Sequence, residues 1–309
     1  MTNDGAMIFD TAAAWQRWLA CHPPLVGGAL TAASVVLVRP DGFSLAAESA
    51  SDNRYMASGA VDAELALRQH AALVAALAEV LPVKVFAGSI DTPDAVFPNN
   101  VFASVPGRLL IGAMRHSVRR REAGRADLPD WFVRRLGCSI ERLDAPGVVA
   151  ELTGVLVIDH ARNIGYIGRS ERVNGAGVLA LHRAFGLAAS FVFELAATEY
   201  HSNVVLSVLA GRVLLIHAGS FVDPAVPLAI AAAYGAQVLW MSDAEKAAFC
   251  GNCLALAEDQ VWMSAGAAAA LTTAHRRQLE SAGFAIRAVD LSEIEKAGGS
   301  LRCCVAEVW

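Results

Sequence analysis

The chain has 309 residues, a formal net charge of −5 and 55% hydrophobic residues, with a mean hydropathy of +0.43 and a pI near 5.9. This length buries a large core, and the mild acidity excludes long-range attraction to nucleic acid or to an anionic membrane surface. The longest apolar runs, residues 225–234 and 265–271, fall well short of the roughly 20 residues that cross a bilayer.

Residues 1–10 carry no basic start followed by an apolar core, so no secretion signal is expected and a cytoplasmic, reducing location follows. Six cysteines, Cys21, Cys138, Cys250, Cys253, Cys303 and Cys304, are too sparse for a disulfide framework and are expected as thiols. The basic cluster 115–125 is short and interrupted by Glu122, which suits a solvated helix face or a small carboxylate pocket.

In chain order, 35–40 reads as a buried strand stopped by Pro40. Residues 62–80 place Leu65, Leu73 and Leu77 among alanines, with Glu64, Arg68, Gln69 and Glu79 opposite, which predicts an amphipathic helix capped by Asp62. A strand follows at 83–87. The pattern then recurs. Residues 101–103 and 109–112 read as a hairpin, 119–136 as partly helical and 138–140 as a strand. Next come the pair 155–159 and 164–168, a helix at 175–185 and a strand at 191–193. The pair 204–209 and 213–217 precedes a helix at 224–234 and a strand at 237–241. A short helical piece at 244–249, a strand at 261–264, a helix at 267–282 and a strand at 284–289 lead to the C-terminal stretch. These are about five strand-strand-helix-strand units with no linker between them, which favours one domain, 1–309, of cyclic character.

Residues 298–309 bring Gly298 and Gly299 into a short apolar strand bearing Cys303 and Cys304, where strand alternation allows only one thiol to face a site. Both could equally be packing cysteines. Three further polar islands sit at strand ends, where sites are usually built. They are 94–102, with Phe97-Pro98-Asn99-Asn100; Glu151-Leu152-Thr153-Gly154 with Gly168-Arg169-Ser170-Glu171-Arg172 after it; and Glu199-Tyr200-His201-Ser202-Asn203. Cys250-Gly251-Asn252-Cys253 has the spacing of a redox or zinc motif, but no second pair or suitably spaced histidines accompany it, so no metal is expected.

The order of these islands across nearly the whole chain resembles the guanidino-group-modifying, or pentein, superfamily. Its citrulline-utilization hydrolase branch looks nearest, on Arg39-Pro40, Ser51-Asp52-Asn53, the 97–100 turn, Arg119-Arg120-Arg121-Glu122, Tyr200-His201-Ser202-Asn203 and residues 292–300. The resemblance implies an α+β pentein fold, a five-bladed α/β-propeller of strand-strand-helix-strand units with pseudo-fivefold symmetry. It also implies that Cys303 is the nucleophile, His201 the general acid and base, and Glu151 the orienting carboxylate. Arg120 and Arg172 fall where relatives hold a substrate α-carboxylate. A thiolate adds to the trigonal carbon, and one imidazole serves first the leaving nitrogen and then the water, so no cofactor is expected.

Superfamily enzymes that take a cationic guanidinium usually face it with carboxylates after the Phe of the turn and two residues beyond the histidine. Here those places read Ser104-Val105 and Asn203. A buried cation without compensating charge would bind poorly, whereas Asn99, Asn100 and Asn203 offer amides suited to a neutral ureido group. The expectation is therefore hydrolysis of citrulline to ornithine, ammonia and carbon dioxide. An amidinotransferase, an arginine deiminase or dihydrolase, and a non-catalytic pentein binding protein remain as alternatives. The expected partner is a small amino acid, with homo-oligomerisation open.

Overall fold

The structure is a computed structural model that describes residues 6–22 and 27–309. Residues 1–5, part of the stretch inspected for a leader, lie outside the described residues.

Five small mixed sheets follow one rule: an antiparallel pair, then a helix, then a third strand parallel to the middle one. Phe102–Val105, Arg108–Ile111 and Ser139–Arg142 form one; Leu156–Asp159, Ile164–Arg169 and Ala189–Glu194 the next, where Ile8–Phe9 adds a fourth, parallel edge strand beside Ala189–Glu194. Leu206–Leu209, Val213–Ile216 and Val238–Trp240 form the third; Leu254–Ala257, Gln260–Ser264 and Ala285–Val289 the fourth. The order is dictated locally, because a tight turn can join only antiparallel neighbours and a parallel partner needs a crossover.

The fifth sheet is assembled from both ends of the chain. Ser34–Val38 is its middle strand, Val83–Phe86 lies parallel to it, and the C-terminal Ala306–Val308 pairs antiparallel with Val36 opposite Ala306. The last strand thus occupies the place that the first strand holds in every other unit. Apolar side chains fill the space between helices and sheets. Val35, Leu37, Leu73, Leu77, Leu301 and Cys304, for instance, share one fully buried cluster.

Helix Ala63–Ala78 starts as expected, with Asp62 Oδ1 accepting from the Leu65 amide at 2.9 Å. Gln69, expected on its solvent face, is buried, spending its amide on Asp290, Ser292 and the Glu293 backbone. The helix expected over 267–282 is two, Ala265–Ala270 and Thr273–Ser281, because the Thr272 side chain caps a new start by accepting from His275. Beside short pieces such as the strand Ile8–Phe9 and the helix Ala47–Ala50, two elements escape the sequence pattern. One is helix Ala12–Cys21, whose Trp15 stacks on Phe191. The other is Leu254–Ala257, an alanine-rich stretch of low strand preference that is a strand because a neighbour pairs with it.

Cys303 does not lie on a strand. The Ser300 carbonyl accepts from the amides of Cys303 and Cys304 (3.0 and 3.3 Å), closing the helical turn Leu301–Cys304 before the strand begins at Ala306. Turns of the same kind, Pro98–Asn100, Leu152–Val155 and Ser202–Val205, precede three other first strands. A belt of hydrogen bonds links these turns across the units. Thr153 Oγ1 donates to the Asn99 carbonyl (2.8 Å), Asn203 Nδ2 to the Thr153 carbonyl (3.0 Å) and Asn252 Nδ2 to the Asn203 carbonyl (2.9 Å). The Arg302 amide donates to the Asn252 carbonyl (3.3 Å), and Ser104 Oγ to the Glu307 carbonyl (3.3 Å).

Candidate active site

Beside the belt, which reaches it at Asn99, lies an open cavity lined also by Asp94, Arg119, Arg172, His201 and Cys303. Glu151 lies beneath its wall, fully buried, as the first residue of a turn whose next residue, Leu152, is held at φ 26°. A branched residue there stores backbone strain of the kind found beside functional groups. Glu151 Oε2 accepts from Asn100 Nδ2 (2.9 Å) and Arg172 Nη1 (3.1 Å) and lies 3.0 Å from His201 Nε2, while Oε1 accepts from the Arg115 amide (3.3 Å). Burial pushes this carboxyl up, but Arg172 and then His201 overcome it and hold the group well below the ordinary carboxylate range. It is a fixed anion.

His201 lines the cavity, buried, with Tyr200 packed against its ring at 4.4 Å between centroids. Burial lowers its pKa and Glu151 only partly restores it, so the imidazole is neutral near pH 7. The ring lies flat over Gly154, where an added Cβ would stand 2.6 Å from its Cε1. Only glycine leaves that space.

Cys303 lines the same cavity, while Cys304 is wholly buried in the neighbouring core. Successive helical residues point about 100° apart, so the turn separates the two thiols as strand alternation would have done. Burial raises the Cys303 pKa above its ordinary value. Gly298, at φ 79°, brings the chain in so closely that a Cβ would sit 2.4 Å from Asn53 Nδ2, and its carbonyl accepts from Tyr200 Oη at 2.5 Å.

The arginine expectation needs correcting. Arg120 is exposed, whereas Arg119 faces inward, because helix Ser117–Ala123 buries Val118, Arg119, Glu122 and Ala123. That i, i+3, i+4 spacing was legible in the sequence. Arg119 lines the cavity and donates to the carbonyls of Asp94 (2.5 Å) and Phe97 (2.8 Å) and to Asn100 Oδ1, and it pairs with Glu122 at 2.8 Å. Burial raises the Glu122 carboxyl to about 8. Arg172 also lines the cavity, clamped by Asp52 and Glu151.

Among the amides, Asn99 and Asn100 line the cavity, but Asn100 is already bridging Glu151 and Arg119. Asn203 lines a different pocket, with His160, Arg302 and Trp309, because its amide is drawn into the belt. The wall is therefore not the row of neutral amides expected. Asp94, at the start of the 94–102 island, lines the cavity at 3% exposure; Ser49 donates to its Oδ2 at 2.5 Å, and its Oδ1 has no hydrogen-bond partner. Burial raises its pKa, with Arg119 opposing. Asp94 heads the 94–102 island but lies ahead of the Phe, outside the places where superfamily carboxylates are expected, and Asn252 stands between two cysteines with no local signal of its own.

A buried thiol, a histidine-carboxylate pair and inward-facing arginines, set on strand-strand-helix-strand units, define a member of the guanidino-group-modifying pentein superfamily. More narrowly, residues 39–309 match the family model N,N dimethylarginine dimethylhydrolase, eukaryotic, and the chain belongs to that family. Uncharacterized protein YkgA of Bacillus subtilis (strain 168) is 24% identical over 279 residues, 89% of this chain and 91% of its own. The chain is similar in structure to the N-terminal domain of ArgZ, an arginine dihydrolase from the ornithine-ammonia cycle in cyanobacteria, solved as a cysteine-to-serine mutant bound to substrate. The TM-score is 0.77 at 18% identity, covering 89% of this chain and 97% of that one. It is also similar to DDAH from Pseudomonas aeruginosa, a cysteine-to-serine mutant complexed with citrulline, with TM-score 0.69, 22% identity and coverage of 90% and 99%. At these identities the likeness establishes the fold.

Proposed function

We propose that the protein is a cysteine-dependent hydrolase of a linear guanidino amino acid, arginine or an N-methylated arginine, yielding the ureido amino acid and an amine. The observation that carries this is Asp94: a buried carboxylate with one unpartnered oxygen, in the same cavity as Cys303 and His201. An orphaned carboxylate oxygen calls for an N–H donor, and a guanidinium supplies both donor and charge. This replaces the preference for a neutral head drawn from Asn203, which is turned away. The protein's relatives act on guanidino groups, which supports the same reading.

In this course Cys303 passes its proton to neutral His201 as Sγ bonds to the guanidino carbon. The imidazolium, steadied by Glu151, returns that proton to the departing nitrogen as the C–N bond breaks. Water then attacks the S-bound carbon, giving one proton to His201, and the sulfur leaves and is reprotonated. The raised thiol pKa is offset when the cation docks, since a positive charge beside sulfur favours the thiolate. Arg119 and Arg172 supply the positive wall for the substrate's carboxylate. We read residues 1–309 as one catalytic domain, its five sheets forming the blades of a five-bladed propeller with the belt at the hub.

A second reading, further hydrolysis of citrulline to ornithine, is favoured by one feature. Protonated at its raised pKa, Asp94 would become a donor to a ureido oxygen. Incubation with arginine, methylated arginines and citrulline, with ammonia, methylamines, citrulline and ornithine measured, tests both. Turnover of citrulline alone would defeat the cationic reading. No turnover, together with Cys303 alkylation that no ligand slows, would leave a binding protein.

A further inference from the structure

Cys250-Gly251-Asn252-Cys253 stands out in the sequence for its thiols, and the reaction above uses neither. Cys250 donates to the Ala267 carbonyl (3.2 Å) and Cys253 lies beside Ser207 Oγ (3.1 Å), both buried. One of the two residues between them touches the nucleophile. Asn252 is fully buried; its Oδ1 accepts from the Cys303 amide at 3.3 Å, and its Nδ2 lies 3.3 Å from Cys303 Sγ and 2.9 Å from the Asn203 carbonyl oxygen.

The orientation of this amide is decided by its partners. A backbone N–H can only donate and a carbonyl can only accept, so Oδ1 must face the Cys303 amide and the NH2 group must face Asn203. The second hydrogen of that NH2 faces the sulfur at 3.3 Å, with Asn203 Oδ1 the competing acceptor at 3.4 Å. A donor fixed there interacts more strongly with a charged acceptor than with a neutral one. Aspartate at this position would lack the donor, and an apolar residue would lack both groups.

We propose that Asn252 is a positioning residue for the nucleophile, gripping Cys303 by its backbone and its sulfur at once and stabilising the thiolate as it attacks; this rests on Cys303 being the working thiol. Burial pushes the Cys303 thiol up, and the hydrogen bond from Asn252 is among the groups that pull it back down.

The test compares wild type with Asn252→Ala and Asn252→Asp, measuring the rate of Cys303 alkylation by iodoacetamide from pH 7 to 10 and kcat for the preferred substrate. Loss of the donor in the alanine variant should raise the apparent thiol pKa by about one unit and slow alkylation at pH 8 about tenfold. The aspartate variant, which keeps an acceptor for the Cys303 amide but sets an anion against the sulfur, should shift it further; it serves if the alanine variant does not fold. A folded variant whose alkylation profile coincides with wild type would overturn the proposal and leave Asn252 as a belt residue. A wild type that turns over no substrate yet shows the Asn252-dependent profile would support this proposal while removing the activity assigned above.

Discussion

Replacing Asp94 with asparagine should move activity and stability in opposite directions. Asparagine keeps the shape and an acceptor for Ser49 but removes the charge facing the cavity. A hydrogen bond to a charged group contributes about 1.5–3 kcal/mol, so kcat/KM for arginine or a methylarginine should fall about 10- to 150-fold. For citrulline the change should stay within about threefold, since no ion pair is lost. Stability should rise. The folded-state pKa of Asp94 is raised above its ordinary 3.8, so relative to the protonated form, stability is lost as the pH climbs from about 3.8 through the folded value. Asparagine escapes that loss. The gain is the cost of burying a charge less that of the amide left in its place, which we expect at about 1 kcal/mol, or roughly 2 °C in Tm at pH 7, with the gap closing in acid. Steady-state kinetics on both substrates and thermal melts at pH 4 and pH 7 read all of this. Equal losses on the charged and uncharged substrates, or undiminished arginine turnover by the folded variant, would refute the reasoning.

Glu151→Gln leaves Arg172 with Asp52 alone in a buried setting, so stability should fall by about 3 kcal/mol, the lower end for breaking a buried pair, measured by urea unfolding. Because the Glu151 carboxyl is depressed in the fold, its contribution is present above about pH 4.5 and fades as the pH falls through the folded value; the variant should show a flatter acid limb. Arg119→Ala leaves the Asp94 and Phe97 carbonyls and Asn100 Oδ1 without their buried donor and should destabilise by about 1–3 kcal/mol, whereas Arg120→Ala on the exposed face should stay within about 0.5 kcal/mol; comparable effects in paired denaturation curves would contradict the helix orientation. With the Cys303 thiol raised above 9.0, alkylation of the substrate-free protein should still be accelerating at pH 9, and a plateau near pH 7 would show that a thiolate-imidazolium pair exists at rest.

Much was legible in the sequence because it depends on near neighbours. The alternation of short apolar strands with helical runs, the Asp62 cap and the five-unit rhythm all follow from local periodicity and turn chemistry. Glu151 and His201 likewise stand in polar islands beside strand ends, whereas Cys303, expected on the last strand, lies on a helical turn just ahead of it. What only the tertiary structure decided is which atoms meet. Arg119 rather than Arg120 faces inward because of what packs on its helix, and Asn203 is drawn into the belt by a carbonyl about fifty residues away in the chain. Asp94 meets Cys303 in one cavity only because the last strand completes a sheet begun at Ser34–Val38. Such meetings are set by pairing and burial between distant segments, and no local pattern encodes the direction in which a buried amide or carboxylate will point.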